Sequence, residues 1–218
     1  IMPLLYIERI DKRTQLGIWQ FDDRTHIEDV CPPEVYNKIK TMCNNRQKET
    51  AAAYALLNEM LGRGGWTIDH EDSGRPILRD SGLEIGISHT NNYASLIISE
   101  SKRVAVDIEH VSDRICKIEE KFMRSDELEY SHTLIKPANI PDNNHTNKAC
   151  ILLLFWCAKE TMYKFYSDNH LALHDIKIEQ IEEANSNNGS IRCCNMQNGD
   201  KKTIFYRIDK NTVLTYLA

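Results

Sequence analysis

Apolar and polar residues alternate from position 2 to position 21 around Ile7, Ile10 and Ile18, with turn chemistry between Asp11 and Thr14. That period of two predicts a β-hairpin. Cys31-Pro32-Pro33 then opens a stretch with helical spacing. Val35, Ile39 and Met42 form a first apolar row, and after Asn44-Asn45 the row resumes as Ala53, Leu56, Leu57 and Met60 until Gly62. Proline at a helix start and glycine just past its end predict two helices, or one interrupted helix. Strands are expected over 83–87, 93–99 and 103–109, because β-branched and aromatic residues cluster there between short loops of Asn, Ser and Gly.

The second half repeats this order. A short helix is predicted at about 118–130, a long loop over 131–147, where prolines and asparagines replace apolar residues, and a strong helix over 148–166. Strands at 176–181, 190–194, 203–208 and 212–217 follow, separated by Asn and Gly turns. Each half therefore has a long helix followed by closely spaced, antiparallel strands. The pattern predicts an α+β, pseudo-duplicated two-lobed fold with halves 1–109 and 110–218 and an active site at the seam. No residue-level repeat accompanies the shared order.

Composition narrows the function classes. The 218 residues carry 27 Lys and Arg against 32 Asp and Glu, a net charge of -5, which argues against broad electrostatic binding of nucleic acid. The longest uninterrupted apolar run, 149–158, is well short of the roughly 20 residues that span a bilayer, and residues 1–10 lack signal-peptide character. The seven cysteines form no CxxC pair and have no histidine at finger spacing, so structural zinc is not expected and a reducing compartment is. The expectation is a soluble, monomeric, cytoplasmic protein without membrane or nucleic-acid partners.

Three groups of residues can carry chemistry. In Val104 to Glu109 the period of two places Val104, Val106 and Ile108 on one face and Ala105, Asp107 and Glu109 on the other. Two carboxylates on one face either point to water or share a hard cation such as Mg²⁺. On the helix over 148–166, Trp156, Glu160 and Lys164 recur every four residues, apart from the stripe of Ile151, Leu154, Phe155, Ala158, Met162 and Phe165 that serves a core. Glu160 is either a third ligand or general base with Lys164 as a phosphate counter-charge, or half of an ordinary surface ion pair. The third group is Gly86 to Asn91, where Ser88 and His89 end a strand either as a polar turn or as phosphate donors, with Arg46, Lys48 and Arg75 as further basic candidates.

Taken in order, Gly74-Arg75-Pro76, Ile87-Ser88-His89, Val106-Asp107-Ile108-Glu109 and Trp156 to Lys164 resemble the motif series of the 4′-phosphopantetheinyl transferases of the larger, surfactin-synthetase-activating type. The signature WxxKExxxK is met by Trp156, Lys159, Glu160 and Lys164, and Lys121 to Glu127 is similar to the segment between the two acidic motifs. Residues 46–175 carry the resemblance. Three positions depart from it: Ala105 replaces a glycine, Tyr54 stands where many relatives have a second arginine, and Asp168-Asn169 takes the place of a glycine after the helix.

The resemblance implies Mg²⁺-dependent transfer of phosphopantetheine from coenzyme A to a serine of an apo acyl or peptidyl carrier protein. It implies Asp107, Glu109 and Glu160 as metal ligands, Glu160 and Lys164 as catalytic residues, and Arg46, Arg75, Ser88, His89 and Lys164 as contacts to coenzyme A. A Mg²⁺-dependent phosphoesterase or nuclease, or a noncatalytic binder of coenzyme A or carrier protein, could use the same residues. Lys117, Lys121 and Arg124, at helical spacing beside Phe122 and Met123, form either a docking face for an acidic carrier or a solvated mixed-charge face.

Overall fold

A computed structural model describes residues 4–20, 27–134, 144–167, 171–182, 187–209 and 211–218. The chain divides into two compact units, residues 1–106 with Ala218 and residues 107–217. The division falls within one strand. Antiparallel sheets and helices make the fold α+β.

The first unit begins with the hairpin of β1 (Leu4–Asp11) and β2 (Thr14–Gln20). Three helices follow, α1 (Ile27–Val30), α2 (Pro33–Ile39) and α3 (Asn44–Leu61). Pro33 starts α2 where its missing N–H costs nothing, and Gly62, at φ 79°, ends α3 in a conformation that favours glycine. A small hairpin pairs β3 (Ile68–His70) with β4 (Pro76–Leu78), two three-residue strands too short for a periodic signal. Strands β5 (Glu84–Thr90) and β6 (Tyr93–Ser99) complete a four-stranded sheet of order β1-β2-β6-β5.

Helix α3 lies against β2 and β6 and is buried at every position from Ala51 to Leu57. Small alanines allow this close approach. On β2, a Cβ added to Gly17 would lie 2.9 Å from Leu56 Cδ2, so glycine there sets how near the helix can come. Tyr54, in the place of the second arginine, belongs to this core and is an anchor: its hydroxyl oxygen accepts the Ile68 N–H at 2.9 Å and ties α3 to β3.

In the second unit, β7 (Ala105–His110) joins β11 (Thr212–Leu217), β10 (Lys201–Ile208), β9 (Asn188–Asn195) and β8 (Ile176–Glu182) in a five-stranded sheet of that order. Helix α5 (Asn144–Phe165) packs across β8 to β11. Ile151, Leu154, Phe155, Ala158 and Met162 enter the core with Ile178, Ile191, Ile204 and Val213.

Two expectations need correction here. No α-helix spans 118–130. Residues Ile115–Lys117 and Glu119–Lys121 form single 3₁₀ turns, and the helix, α4, is Ser125–Leu134. Phe122 and Met123 are buried in the core, so the apolar part of the proposed docking face is used up by packing. Lys117 and Lys121 remain exposed, whereas Arg124 bonds Asp126 and the His174 carbonyl. At both ends the stretch expected to be a loop, 131–147, is helical: α4 continues to Leu134 and α5 starts at Asn144, and residues 135–143 lie outside the described residues. The turn assigned to Asp168-Asn169 lies outside the described residues. Among the described residues no helix is long and apolar enough to cross a membrane.

Candidate active site

Strand β7 delivers Asp107 and Glu109 to the second unit. Burial along it does not follow the alternation. Ala105, Val106, Asp107 and Ile108 are all buried, because the strand is covered on both faces, and Asp107 keeps only 4% of its surface. Glu109 is half-buried.

On α5 the row Trp156, Glu160 and Lys164 is half-buried where the helix is otherwise packed nearly all round, with Tyr163 beside it exposed. Trp156 holds the start of this row by an edge-to-face contact with Phe122, centroids 5.2 Å apart. At the other end the Lys164 ammonium donates to Asp107 Oδ1 at 2.7 Å. Helix and strand therefore meet through a charge-assisted bond between residues far apart in sequence.

Glu160 lies within electrostatic reach of both strand carboxylates. Burial first, then the charge of Asp107 and that of Glu109, push its carboxyl up to about 7, against an opposing pull from Lys164. Cys157, on the same helix, is pushed well above its ordinary range by burial, and then by Asp107 and Glu109. Three carboxylates crowded in this way are relieved by a proton, by an ammonium, or by a hard divalent cation that takes oxygen ligands. Among the described residues no group of three or more acidic, histidine or cysteine side chains is placed so as to hold a metal ion. The donor set fits Mg²⁺ in chemistry, with Lys164 the cation now resting on Asp107.

The family model for the 4′-phosphopantetheinyl transferase superfamily matches residues 103–216, more than half of the chain, including all four of these side chains. The chain belongs to that superfamily. It is also 26% identical over 144 residues to the 4′-phosphopantetheinyl transferase HetI of Nostoc sp. (strain PCC 7120 / SAG 25.82 / UTEX 2576), a match that covers 61% of this chain and 57% of that relative. The likeness thus spans little more than half of the relative's length.

The remaining candidates of this superfamily member lie in the first unit and form two separate groups. Arg46 on α3 and His89 on β5 both reach Glu49, with Arg46 Nη1 3.5 Å from Oε2 and His89 Nδ1 3.4 Å from Oε1. Ser88, next to His89, is buried in the strand, and its carbonyl accepts from Ser95 Oγ at 3.4 Å. Arg75 is not with them. Its guanidinium is held between Glu84 and Glu71.

Residue-by-residue reading missed Glu127 and gave Lys159 no role beyond its place in the signature. They form a fully buried pair on α4 and α5, with Nζ 2.7 Å from Oε2. A lone lysine among apolar neighbours was the available signal, since buried lysines are found paired.

Proposed function

We propose that this chain transfers the 4′-phosphopantetheine group of coenzyme A to a serine hydroxyl of an apo acyl or peptidyl carrier protein, with Mg²⁺, releasing adenosine 3′,5′-bisphosphate. Membership of the superfamily and the likeness to a relative bearing that activity in its name support the reading. The observation that carries it is the cluster of Asp107, Glu109, Glu160 and Lys164, in which burial first, and then the charges of Asp107 and Glu109, push the Glu160 carboxyl up to about 7.

Asp107, Glu109 and Glu160 would hold Mg²⁺, which when bound supplies Lewis-acid polarisation of the coenzyme A pyrophosphate. Glu160 takes the proton of the attacking serine. Lys164 turns from Asp107 toward the phosphate oxygens and offsets the charge that grows on the leaving bisphosphate. Arg46, His89 and Ser88 bind the nucleotide end, so that binding energy far from the reacting phosphorus positions it. Arg75 joins them only by leaving Glu71 and Glu84.

The test is direct. Incubated with coenzyme A, Mg²⁺ and a panel of apo carrier proteins, the chain should add one phosphopantetheine to the carrier, read by intact mass. Absence of the adduct on every carrier, with the protein folded, overturns the proposal. Cleavage of nucleic acid in its place would point to a phosphoesterase.

A further inference from the structure

Glu49 touches two of the basic groups assigned above to the nucleotide end of coenzyme A, and the inference drawn from it rests on that assignment. Its two oxygens are used separately: Oε2 faces Arg46 on the same helix and Oε1 faces His89 on strand β5. An anion that bridges two basic side chains through different oxygens does what a phosphate would do in the same place. We propose that Glu49 is a built-in competitor for a phosphate of the nucleotide end, and that it sets the affinity of the first unit for that ligand.

The sign follows from charge. All three side chains are partly exposed, so each pair is held loosely and can exchange partners. A phosphate arriving at Arg46 and His89 must either displace Glu49 or sit beside a like charge, and both alternatives weaken binding. Replacing the carboxylate by an amide removes the charge while leaving a carbonyl oxygen to accept from His89. Glu49 lies on the helix surface next to exposed Arg46, outside the buried stretch from Ala51 to Leu57, so the substitution leaves the core intact.

The experiment is isothermal titration of coenzyme A and of adenosine 3′,5′-bisphosphate into the parent chain, Glu49→Gln and, as a control for net charge, Glu59→Gln near the other end of the same helix. Glu49→Gln should bind both ligands about two- to fivefold tighter at low ionic strength, the size expected of a partly exposed ion pair, and the gain should shrink as salt is added. Glu59→Gln should bind as the parent does. Unchanged or weaker binding by Glu49→Gln overturns the inference, and so does an equal gain in Glu59→Gln, which would make the effect one of overall charge. If neither ligand binds the parent or either variant, the assignment of the nucleotide site has failed and the inference falls with it. Parent binding with no gain in Glu49→Gln leaves that assignment standing and removes the inference alone.

Discussion

Lys159 and Glu127 meet inside the second unit with side chains 0% and 1% exposed, the ammonium 2.7 Å from Oε2. Both make further bonds. Glu127 also accepts the N–H groups of Arg124 at 2.9 Å and Ile178 at 2.7 Å, and Lys159 donates to the Leu173 carbonyl at 3.1 Å. Four parts of the chain, the start of α4, α5, β8 and the turn at Leu173–Asp175, are joined by one charge pair. Burial lowers the Lys159 pKa, and Glu127 works against that shift. Removing one partner from such a pair strands the other in the interior. Lys159→Met should therefore cost about 3 kcal/mol in urea denaturation, and Glu127→Gln a similar amount. A loss under half of that in both variants would show the pair to be dispensable.

Asp107→Asn should abolish transfer and remove the heat of Mg²⁺ binding in calorimetry, because the amide brings no negative charge to a hard cation. The variant should still melt cooperatively: Lys164 is partly exposed and can turn its ammonium to water. Full activity of Asp107→Asn in Mg²⁺ would remove the strand from the metal site. Chelation of the parent should stop the reaction, and added Mg²⁺ should restore it.

Protonation of Glu160 gives a pH signature. Its folded pKa, about 7, is above the ordinary 4.5, owing first to burial and then to Asp107 and Glu109, with Lys164 opposing. The folded chain thus holds this proton more tightly than the unfolded chain. Its stabilising effect is complete below pH 4.5 and is lost as pH rises through 7. Melting of the metal-free protein should show a decline over that window that Glu160→Gln flattens. Mg²⁺ binding at pH 6 should release a proton in the parent and none in Glu160→Gln, measured as a buffer-dependent heat.

The two arginines should separate. Arg46→Ala should weaken coenzyme A more than 3′-dephospho-coenzyme A if Arg46 meets the 3′-phosphate, since a lost charge-assisted bond matters only where its partner exists. Arg75→Ala should act on stability, because it leaves Glu71 and Glu84 without the guanidinium between them. Equal losses for the two ligands in Arg46→Ala would place its contact elsewhere on coenzyme A.

Much of the fold was legible because its long elements obey simple periods. The row Val35, Ile39, then Leu56, Leu57 and Met60 marks α2 and α3, and the strands around Tyr93 to Ser99 and Thr212 to Leu217 stand where alternation and turn residues put them. What failed was local. Phe122 and Met123 fall within the helix expected over 118–130, yet they follow a 3₁₀ turn at Glu119–Lys121 and both enter the core. The three-residue strands β3 and β4 leave no pattern to read. At the candidate site, residue types and order pointed to Asp107, Glu109, Glu160 and Lys164. The burial of Asp107 was hidden, because alternation tells which side chains share a face and nothing about what covers that face. The partner of Lys159 was hidden for a similar reason, since Glu127 lies on a different helix.

The place of β7 at the edge of its sheet ties Asp107 to the order in which the chain emerges from the ribosome. Its neighbour is β11, at the far end of the second unit, and the Val111 N–H donates to the Asn211 carbonyl at 2.8 Å just beyond the strands. A nascent chain can form the β8, β9 and β10 hairpins as soon as each is made, but β7 waits for the last strand to arrive. Until then the strand bearing Asp107 lacks its neighbour in the sheet, so stalling or proteolysis before Thr212 should yield a helical, sheet-containing fragment without an assembled acidic cluster.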